Sequence, residues 1–124
     1  MTKILAIDDD TTILNAVEAI LEGAGYTSVT ALSGKEGLKK VQADKPDAII
    51  LDRQMPEMDG NQVLIELKAN DNTRDIPVIM LTRDNRIGDV STCLEMGAVD
   101  YIVKPFDSDN FLIRLGKALN DAKS

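Results

Sequence analysis

The stretch Ala48-Ile49-Ile50-Leu51-Asp52-Arg53-Gln54-Met55-Pro56-Glu57-Met58-Asp59-Gly60 decides the fold of this 124-residue chain. Its leading apolar residues are too few for a helix, and an unbroken apolar run is typical of a strand that is buried on both faces of a parallel sheet. Asp52 stands where this strand ends. Ligands of open α/β sheets bind beyond the carboxyl ends of the strands, so this carboxylate lies in the expected active crevice. Asp52 can equally open an ordinary turn, since Pro56 and Gly60 punctuate the loop, and the stretch alone leaves both interpretations open.

Length and composition indicate one globular domain over residues 1–124. The chain is 44% hydrophobic and 28% charged, which is ordinary for a single packed core. Its net charge of -7 argues against direct nucleic acid binding. The single Cys93, the lack of a membrane-length apolar run and the lack of a signal peptide predict a cytoplasmic protein without membrane contact. The sequence contains no His, which excludes histidine acid-base chemistry and His-ligated zinc.

The hydrophobic pattern predicts five strands that alternate with five helices. The strands are predicted over residues 3–7, 27–31, 48–52, 77–82 and 101–103. The helices are predicted to begin after Asp10 or Thr11, after Ser33, after Gly60, at about Ile87, and after Asp107 or Ser108. Gly23 or Gly25 is expected to stop the first helix, and Gly97 the fourth. This alternation predicts a doubly wound, three-layer α/β/α fold with a five-stranded parallel sheet in the flavodoxin-like order 2-1-3-4-5.

That strand order brings polar side chains from four strand ends to one edge of the sheet. Asp8 and Asp9 follow the first strand, Asp52 the third, Thr82 the fourth and Lys104 the fifth. Converging carboxylates repel one another unless a cation is present, and oxygen ligands without imidazole or thiolate favour Mg²⁺ before Ca²⁺. Lys104 and Thr82 suit the oxygens of a phosphoryl group in transfer. Asp52 would then be a carboxylate nucleophile that forms an acyl phosphate.

Each of these residues also has a structural explanation of its own. We expect Asp10 to cap the first helix, and Tyr101 is more often a core residue than a functional one. Thr82 can be an ordinary strand-end hydroxyl and Lys104 a solvated turn residue before Pro105. Taken singly these explanations are favoured. Taken together they weaken, because separate strand ends each supply a complementary group.

The motifs as a set resemble the receiver domain of two-component response regulators, in the family's order and spacing over essentially the whole chain. They are Ile7-Asp8-Asp9-Asp10, Ile50-Leu51-Asp52, Met55-Pro56-Glu57-Met58-Asp59-Gly60, Leu81-Thr82 and Val103-Lys104-Pro105-Phe106. The resemblance implies that a partner histidine kinase or phosphotransfer protein phosphorylates Asp52. It also implies that Mg²⁺ is bound through Asp8, Asp9, Asp52 and the backbone carbonyl of Gln54.

The same resemblance implies a switch rather than a turnover enzyme. Thr82 and Lys104 would grip the phosphoryl group, Tyr101 would be the aromatic residue that moves inward with Thr82, and Lys104-Pro105 would be a cis peptide. The output surface would be formed by helix four, strand five and helix five, with an unknown downstream target and a possible homodimer on phosphorylation. Residues at the start of helix four are candidates for that surface: Arg86, Ile87, Asp89 and Val90.

Three further positions bear on the lifetime of the phosphoryl group. Gln54 and Asp84 stand at the two variable positions that tune the attacking water in the family. Arg83 departs from the family pattern, in which the residue after Thr82 is usually small. Its guanidinium is expected to reach the phosphoryl group, to pair with Asp84 or Glu57, or to cover the site.

Two other classes of function remain open. Asp8-Asp9-Asp10-Thr11-Thr12 also fits the nucleophile motif of haloacid-dehalogenase-type phosphatases, with Asp8 as nucleophile, although a Gly is missing after the second Asp and Asp52 is left without a role. A receiver-like module that binds a partner without phosphorylation is the second alternative. A flavin-binding flavodoxin is disfavoured, because the first loop is acidic where the anionic FMN phosphate would lie.

Overall fold

The computed structural model describes residues 2–83 and 87–123, with the side chains of residues 87–90 excepted. Ten elements alternate strictly along this part of the chain. They are β1 Lys3–Ile7, α1 Thr11–Gly23, β2 Thr27–Ala31, α2 Gly34–Asp44, β3 Ala48–Asp52, α3 Gly60–Ala69, β4 Val78–Thr82, α4 Ile87–Glu95, β5 Asp100–Val103 and α5 Ser108–Ala122.

The sheet has the predicted topology. All of its strand pairs are parallel, and the strand order is β2-β1-β3-β4-β5. The register pairs Ile7 with Leu51, and Asp52 with Leu81, so the carboxyl ends of the central strands lie level. Thr82 pairs with Val103 in the same way. The residues that follow these strands therefore meet at one edge.

Two hydrophobic layers hold the helices against opposite faces of the sheet. Because successive strand residues point to opposite faces, Ile4 and Ile50 enter one layer while Leu5 and Ile49 enter the other. The first layer packs α1 and α5 with Val17, Leu21, Phe111, Leu115 and Leu119. The second layer packs α2, α3 and α4 with Val41, Val63, Leu64, Leu67 and Cys93. Every residue of β3 and β4 is buried, which explains their unbroken apolar sequence.

The helix ends follow the predicted signals with small shifts. Asp10 caps α1 by accepting from the Thr12 N–H at 2.8 Å, and Asp107, rather than Ser108, caps α5 through the Asn110 N–H at 2.7 Å. The Asp59 N-cap of α3 forms a complete capping box with Gln62. α4 ends at Glu95, and Gly97, which was expected to stop this helix, follows two residues later with a φ of +114°.

Strands β4 and β5 each differ from prediction by one residue at the start. β4 begins at Val78 rather than Pro77, although the Pro77 carbonyl still accepts from the Ile49 N–H at 3.0 Å. β5 begins at Asp100 rather than Tyr101, because the Asp100 backbone already pairs with Ile79. The Lys104-Pro105 peptide is cis, as the resemblance implied.

Candidate functional site

A polar cavity of about 410 Å³ opens at the carboxyl ends of β1, β3, β4 and β5. Its lining among the described residues consists of Asp8, Asp9, Asp10, Asp52, Gln54, Arg83 and Lys104. The predicted convergence of strand ends is therefore present in the structure. The cavity collects four carboxylates and two cationic side chains within a single depression.

Three of the carboxylates are close enough to bind one cation. Asp8, Asp9 and Asp52 each offer an oxygen atom that lies within 4.8 Å of the other two. Asp8 and Asp52 are buried, with 1% and 4% of their surface exposed, whereas Asp9 is exposed. Oxygen donors of this kind, open to solvent on one side, fit a hard divalent ion that keeps several water ligands. The acidic cluster is thus consistent with Mg²⁺ binding.

Lys104 lies between two of these carboxylates. Its Nζ donates to Asp8 Oδ2 at 2.8 Å and to Asp52 Oδ1 at 3.2 Å. The side chain is 7% exposed, so the ion pairs are shielded from solvent. Burial alone would lower the pKa of Lys104, but the hydrogen bonds and charges of Asp8 and Asp52 outweigh it and raise the pKa. Lys104 therefore stays protonated and partly neutralises the cluster.

Asp52 is the carboxylate whose titration the site alters most clearly. Burial raises the pKa of Asp52 to about 6, and the charge of Asp8 adds to the increase while Lys104 opposes it. The Gln54 N–H approaches Asp52 Oδ1 at 3.4 Å, from the loop that follows β3. A buried carboxylate beside both an anion and a cation, in a cavity open to solvent, is a typical functional-site arrangement.

Asp10 has two structural roles at the same edge. It caps α1 as predicted, and its side chain also lines the cavity. Its backbone N–H donates to Asp8 Oδ1 at 3.0 Å, which fixes the orientation of the Asp8 carboxylate. The start of α1 thus positions one of the candidate metal ligands.

Gly60 has a role in the site that the sequence pattern did not reveal. A Cβ atom at this position would overlap the backbone oxygen of Asp52 and lie 2.7 Å from Arg53 Cα. The Gly60 N–H donates to the Arg53 carbonyl at 2.9 Å, which closes the loop between β3 and α3. Only glycine allows α3 to begin this close to the residue that carries the candidate nucleophile.

Thr82 lies beside the cavity without lining it in the described structure. It is buried, with 4% of its surface exposed, and its carbonyl accepts from the Lys104 N–H at 2.7 Å. The next residue, Arg83, is exposed and does line the cavity. Asp84, the other predicted tuning residue on this segment, lies outside the described residues, as does Arg86.

Tyr101 is half-buried on β5 and lies outside the cavity lining. The Arg114 guanidinium lies 5.3 Å from the centre of its ring, in cation-π geometry. Arg114 also donates to Asp100 at 2.6 Å and to Asn110 at 3.3 Å. Tyr101 is thus tied to α5 in this structure. Ile87, Asp89 and Val90 of the predicted output surface belong to α4, but their side chains are not described.

A larger cavity of about 550 Å³ lies at the opposite end of the sheet. It is lined by several cations, of which Lys68, Arg74 and Arg114 make local contacts. Lys68 Nζ donates to the carbonyls of Arg74 and Ile76 at 2.8 and 3.1 Å, and Arg114 pairs with Asp100. No cluster of metal-binding side chains accompanies this cavity within the described ranges. We therefore take the acidic edge as the candidate functional site.

The fold and the acidic edge define a receiver domain, and comparison with known proteins shows the same family. The family model described as the response regulator receiver domain matches residues 4–115. The chain therefore belongs to the response regulator receiver family, whose members interact with histidine kinases. The family match favours a phosphorylatable receiver over the phosphatase and over the phosphorylation-independent module.

Particular relatives agree with this assignment. The chemotaxis protein CheY4 of Vibrio cholerae superimposes with a TM-score of 0.91 and is 33% identical, covering 95% of this chain and 98% of that one. The transcriptional regulatory protein PrrA of Mycobacterium bovis is 41% identical over 84% of this chain and 44% of its own length. RpaA of Synechocystis, named a DNA-binding dual master transcriptional regulator, is 41% identical over 93% of this chain and 48% of its own length.

The chain spans about half the length of the curated relatives that it matches. Because these relatives are named transcriptional or DNA-binding regulators, the expectation of no nucleic acid contact is restricted to the receiver residues and does not extend to whole regulators of this kind. Within the described part of the chain, no helix combines the length and apolar character needed to cross a membrane.

Proposed function

We propose that Asp52 accepts the phosphoryl group and that residues 1–124 act as one receiver domain. The observation that carries this proposal is the meeting of Asp8, Asp9 and Asp52 within 4.8 Å, with Lys104 bonded to two of them. A phosphodonor needs a nucleophile, a cation and an open approach, and these are adjacent at this edge. Asp52 is the member that projects from the centre of the sheet, at the end of β3.

The chemical step is a displacement at phosphorus. An Asp52 carboxylate oxygen forms a bond to phosphorus as the P–N bond of a phosphohistidine, or the P–O bond of a small acyl phosphate, breaks and the leaving group takes the bonding electrons. An imidazole leaves as a neutral molecule when its other ring nitrogen carries a proton. The product is an acyl phosphate on Asp52, and later attack of water on phosphorus returns the carboxylate and inorganic phosphate.

The remaining residues of the cavity support this step. Mg²⁺, held by Asp8, Asp9, Asp52 and the Gln54 carbonyl, would offset the charge of the phosphoryl oxygens. Lys104 partly offsets the charges of Asp52 and Asp8 before the reaction and is placed to donate to a phosphoryl oxygen after it. Gln54 lines the cavity, and in this proposal Gln54 and Asp84 tune the attack of water on phosphorus, so that the chain assists its own dephosphorylation.

The output of the reaction is a change in binding surface. Phosphorylation adds charge and acceptor oxygens at Asp52, which draws Thr82 and Lys104 toward the phosphoryl group. Tyr101 follows Thr82 inward and alters the surface formed by α4, β5 and α5. A histidine kinase or phosphotransfer protein is the proposed donor, and a downstream protein or a second copy of the chain is the proposed target.

Mapping of the modified carboxylate tests the assignment of the nucleophile. The protein is incubated with Mg²⁺ and a small acyl phosphate, the acyl phosphate is reduced with borohydride to the alcohol, and the modified peptide is identified by mass spectrometry. Modification at Asp52, absent from Asp52→Asn and dependent on Mg²⁺, is the expected result. Modification at Asp8 would support the phosphatase alternative, and no modification at either residue would support a binding module.

A further inference from the structure

The lining of the acidic cavity contains a second cation whose role the proposed function does not explain. Arg83 follows β4 directly, is exposed, and lines the same cavity as Asp52 and Lys104. It stands at the solvent side, whereas Lys104 is buried at the base between Asp8 and Asp52. The two cations thus lie at different depths in the cavity, Lys104 buried and Arg83 exposed.

The buried cation alone is poorly matched to a phosphoryl group. The Lys104 ammonium already donates to two carboxylate oxygens, and it carries three donors in total. A phosphoryl group on Asp52 brings three strongly accepting oxygens and a charge near -2 into a cavity lined by four aspartates. A guanidinium has five donors in a planar fork that binds two phosphoryl oxygens at once.

We propose that Arg83 binds the phosphoryl group of phosphorylated Asp52 directly, as a bidentate ligand at the mouth of the cavity. This inference rests on the proposed phosphorylation of Asp52. In the unphosphorylated protein the same guanidinium opposes entry of a divalent cation, because both are positive. After phosphorylation the guanidinium no longer opposes the divalent cation, because the negative phosphoryl oxygens lie between the two positive groups and attract both.

The position of Arg83 also bears on hydrolysis. Water must attack phosphorus in line with the leaving Asp52 oxygen, and therefore from the side that faces away from β3. Arg83 is exposed and lines the cavity, so a guanidinium bound to the phosphoryl group would restrict the access of water to that line of attack. Arg83 thus lengthens the lifetime of the acyl phosphate.

The proposal predicts opposite effects of one substitution on two ligands. In Arg83→Gln, the dissociation constant for Mg²⁺ alone is expected to fall roughly two- to fivefold, because a like charge is removed. The dissociation constant for beryllofluoride, a phosphoryl mimic, at saturating Mg²⁺ is expected to rise about tenfold, because charge-assisted hydrogen bonds are lost. Dephosphorylation is expected to quicken. Titration calorimetry measures the first two quantities, and decay of the labelled protein measures the third.

Two further variants serve as controls. One tests the general effect of removing a surface arginine, and the other tests whether the planar guanidinium, rather than its charge alone, is needed. Arg74→Gln removes an exposed arginine near the opposite end of the sheet, where Arg74 pairs with Asp71 at 3.2 Å, and should leave the affinity for beryllofluoride unchanged. Arg83→Lys should return the dissociation constant for Mg²⁺ to the wild-type value, because the positive charge is kept, but it should recover only part of the affinity for beryllofluoride. Full recovery by lysine would overturn the bidentate contact.

The inference and the proposed function fail in different ways. If the wild-type protein and Asp52→Asn bind beryllofluoride equally, Asp52 is not the phosphoacceptor and both proposals fall. If binding requires Asp52 but is equal in the wild type and in Arg83→Gln, the Arg83 contact alone is overturned. A change of both affinities in the same direction in Arg83→Gln would also overturn it, since that pattern indicates a disturbed site.

Discussion

The substitution Asp52→Asn is expected to stabilise the fold in the absence of divalent cations. The structure raises the pKa of Asp52 from 3.8 to about 6, and at 1.36 kcal/mol for each pKa unit this makes ionised Asp52 unfavourable by about 3 kcal/mol in the folded state. Asparagine keeps the shape of the side chain and removes the charge. Lys104 retains Asp8 as its partner at 2.8 Å, so no buried cation is left alone.

The pH dependence fixes the sign of this effect. Below the unfolded pKa of 3.8, Asp52 is protonated in both states and its charge affects stability little. Between that pH and the folded pKa of about 6, the unfolded chain releases its proton first, so the wild type loses stability relative to the variant. Above pH 6 the difference is constant. Asp52→Asn should therefore gain about 3 kcal/mol at pH 7.5 and only about 0.5 kcal/mol near pH 4.

Urea unfolding followed by circular dichroism, with EDTA present, measures this difference at each pH. Asp71→Asn is a matched control because Asp71 is largely exposed and its ion pair with Arg74 lies on the surface, so a change within about 0.5 kcal/mol is expected. An Asp52→Asn variant that is no more stable than the wild type at pH 7.5 would refute the reasoning. So would a gain of the same size at pH 4 and pH 7.5.

Two further substitutions test the construction of the site, and a third tests a strained helix end. Gly60→Ala should lose about 1–3 kcal/mol of unfolding free energy in urea, because the new Cβ meets the Asp52 backbone, and it should also weaken beryllofluoride binding. An unchanged stability would contradict the close approach of α3 to β3. Lys104→Met should lose about 3–5 kcal/mol at neutral pH, since Asp8 and Asp52 lose a buried partner, and less at pH 5; a loss that grows on acidification would argue against that explanation. Lys45→Gly should gain about 0.5–1 kcal/mol in thermal or urea unfolding, because Lys45 has a φ of +48°; Lys45→Ala is the control and should show no such gain.

The sequence predicts the central part of this fold well because burial there leaves a strong pattern. β3 and β4 are buried on both faces, so their apolar runs mark them almost to the residue. The start of β5 is less visible, since Asp100 carries no hydrophobic signal and its carboxylate pairs with Arg114. The prediction of Asp10 as a helix cap is confirmed. A short side chain that accepts hydrogen bonds, placed just before an amphipathic helical pattern, caps the helix through local contacts alone, so no tertiary contact is needed to recognise it.

In the candidate site, too, some features can be predicted from the sequence and others cannot. Parallel strands place their carboxyl ends together, so the meeting of Asp8, Asp52 and Lys104 follows from strand order alone. The role of Gly60 does not follow, because it depends on how closely α3 approaches the backbone of β3. The expectation that Arg83 reaches or covers the site agrees with its place in the cavity lining, but the sequence does not show that Thr82 lies outside that lining.

The way in which this site is built links its stability to its chemistry. Lys104 supplies one positive charge to two buried carboxylates, so the cluster keeps an uncompensated negative charge that disfavours ionised Asp52. Any ligand that adds positive charge there, or that binds the ionised form of Asp52, therefore stabilises the folded protein beyond its own contacts. In the proposed function, the same residual charge keeps the Asp52 carboxylate nucleophilic, because a carboxylate fully neutralised by ion pairs would be a poor nucleophile. Substitutions that relieve the electrostatic strain should thus raise stability and lower phosphoryl transfer together.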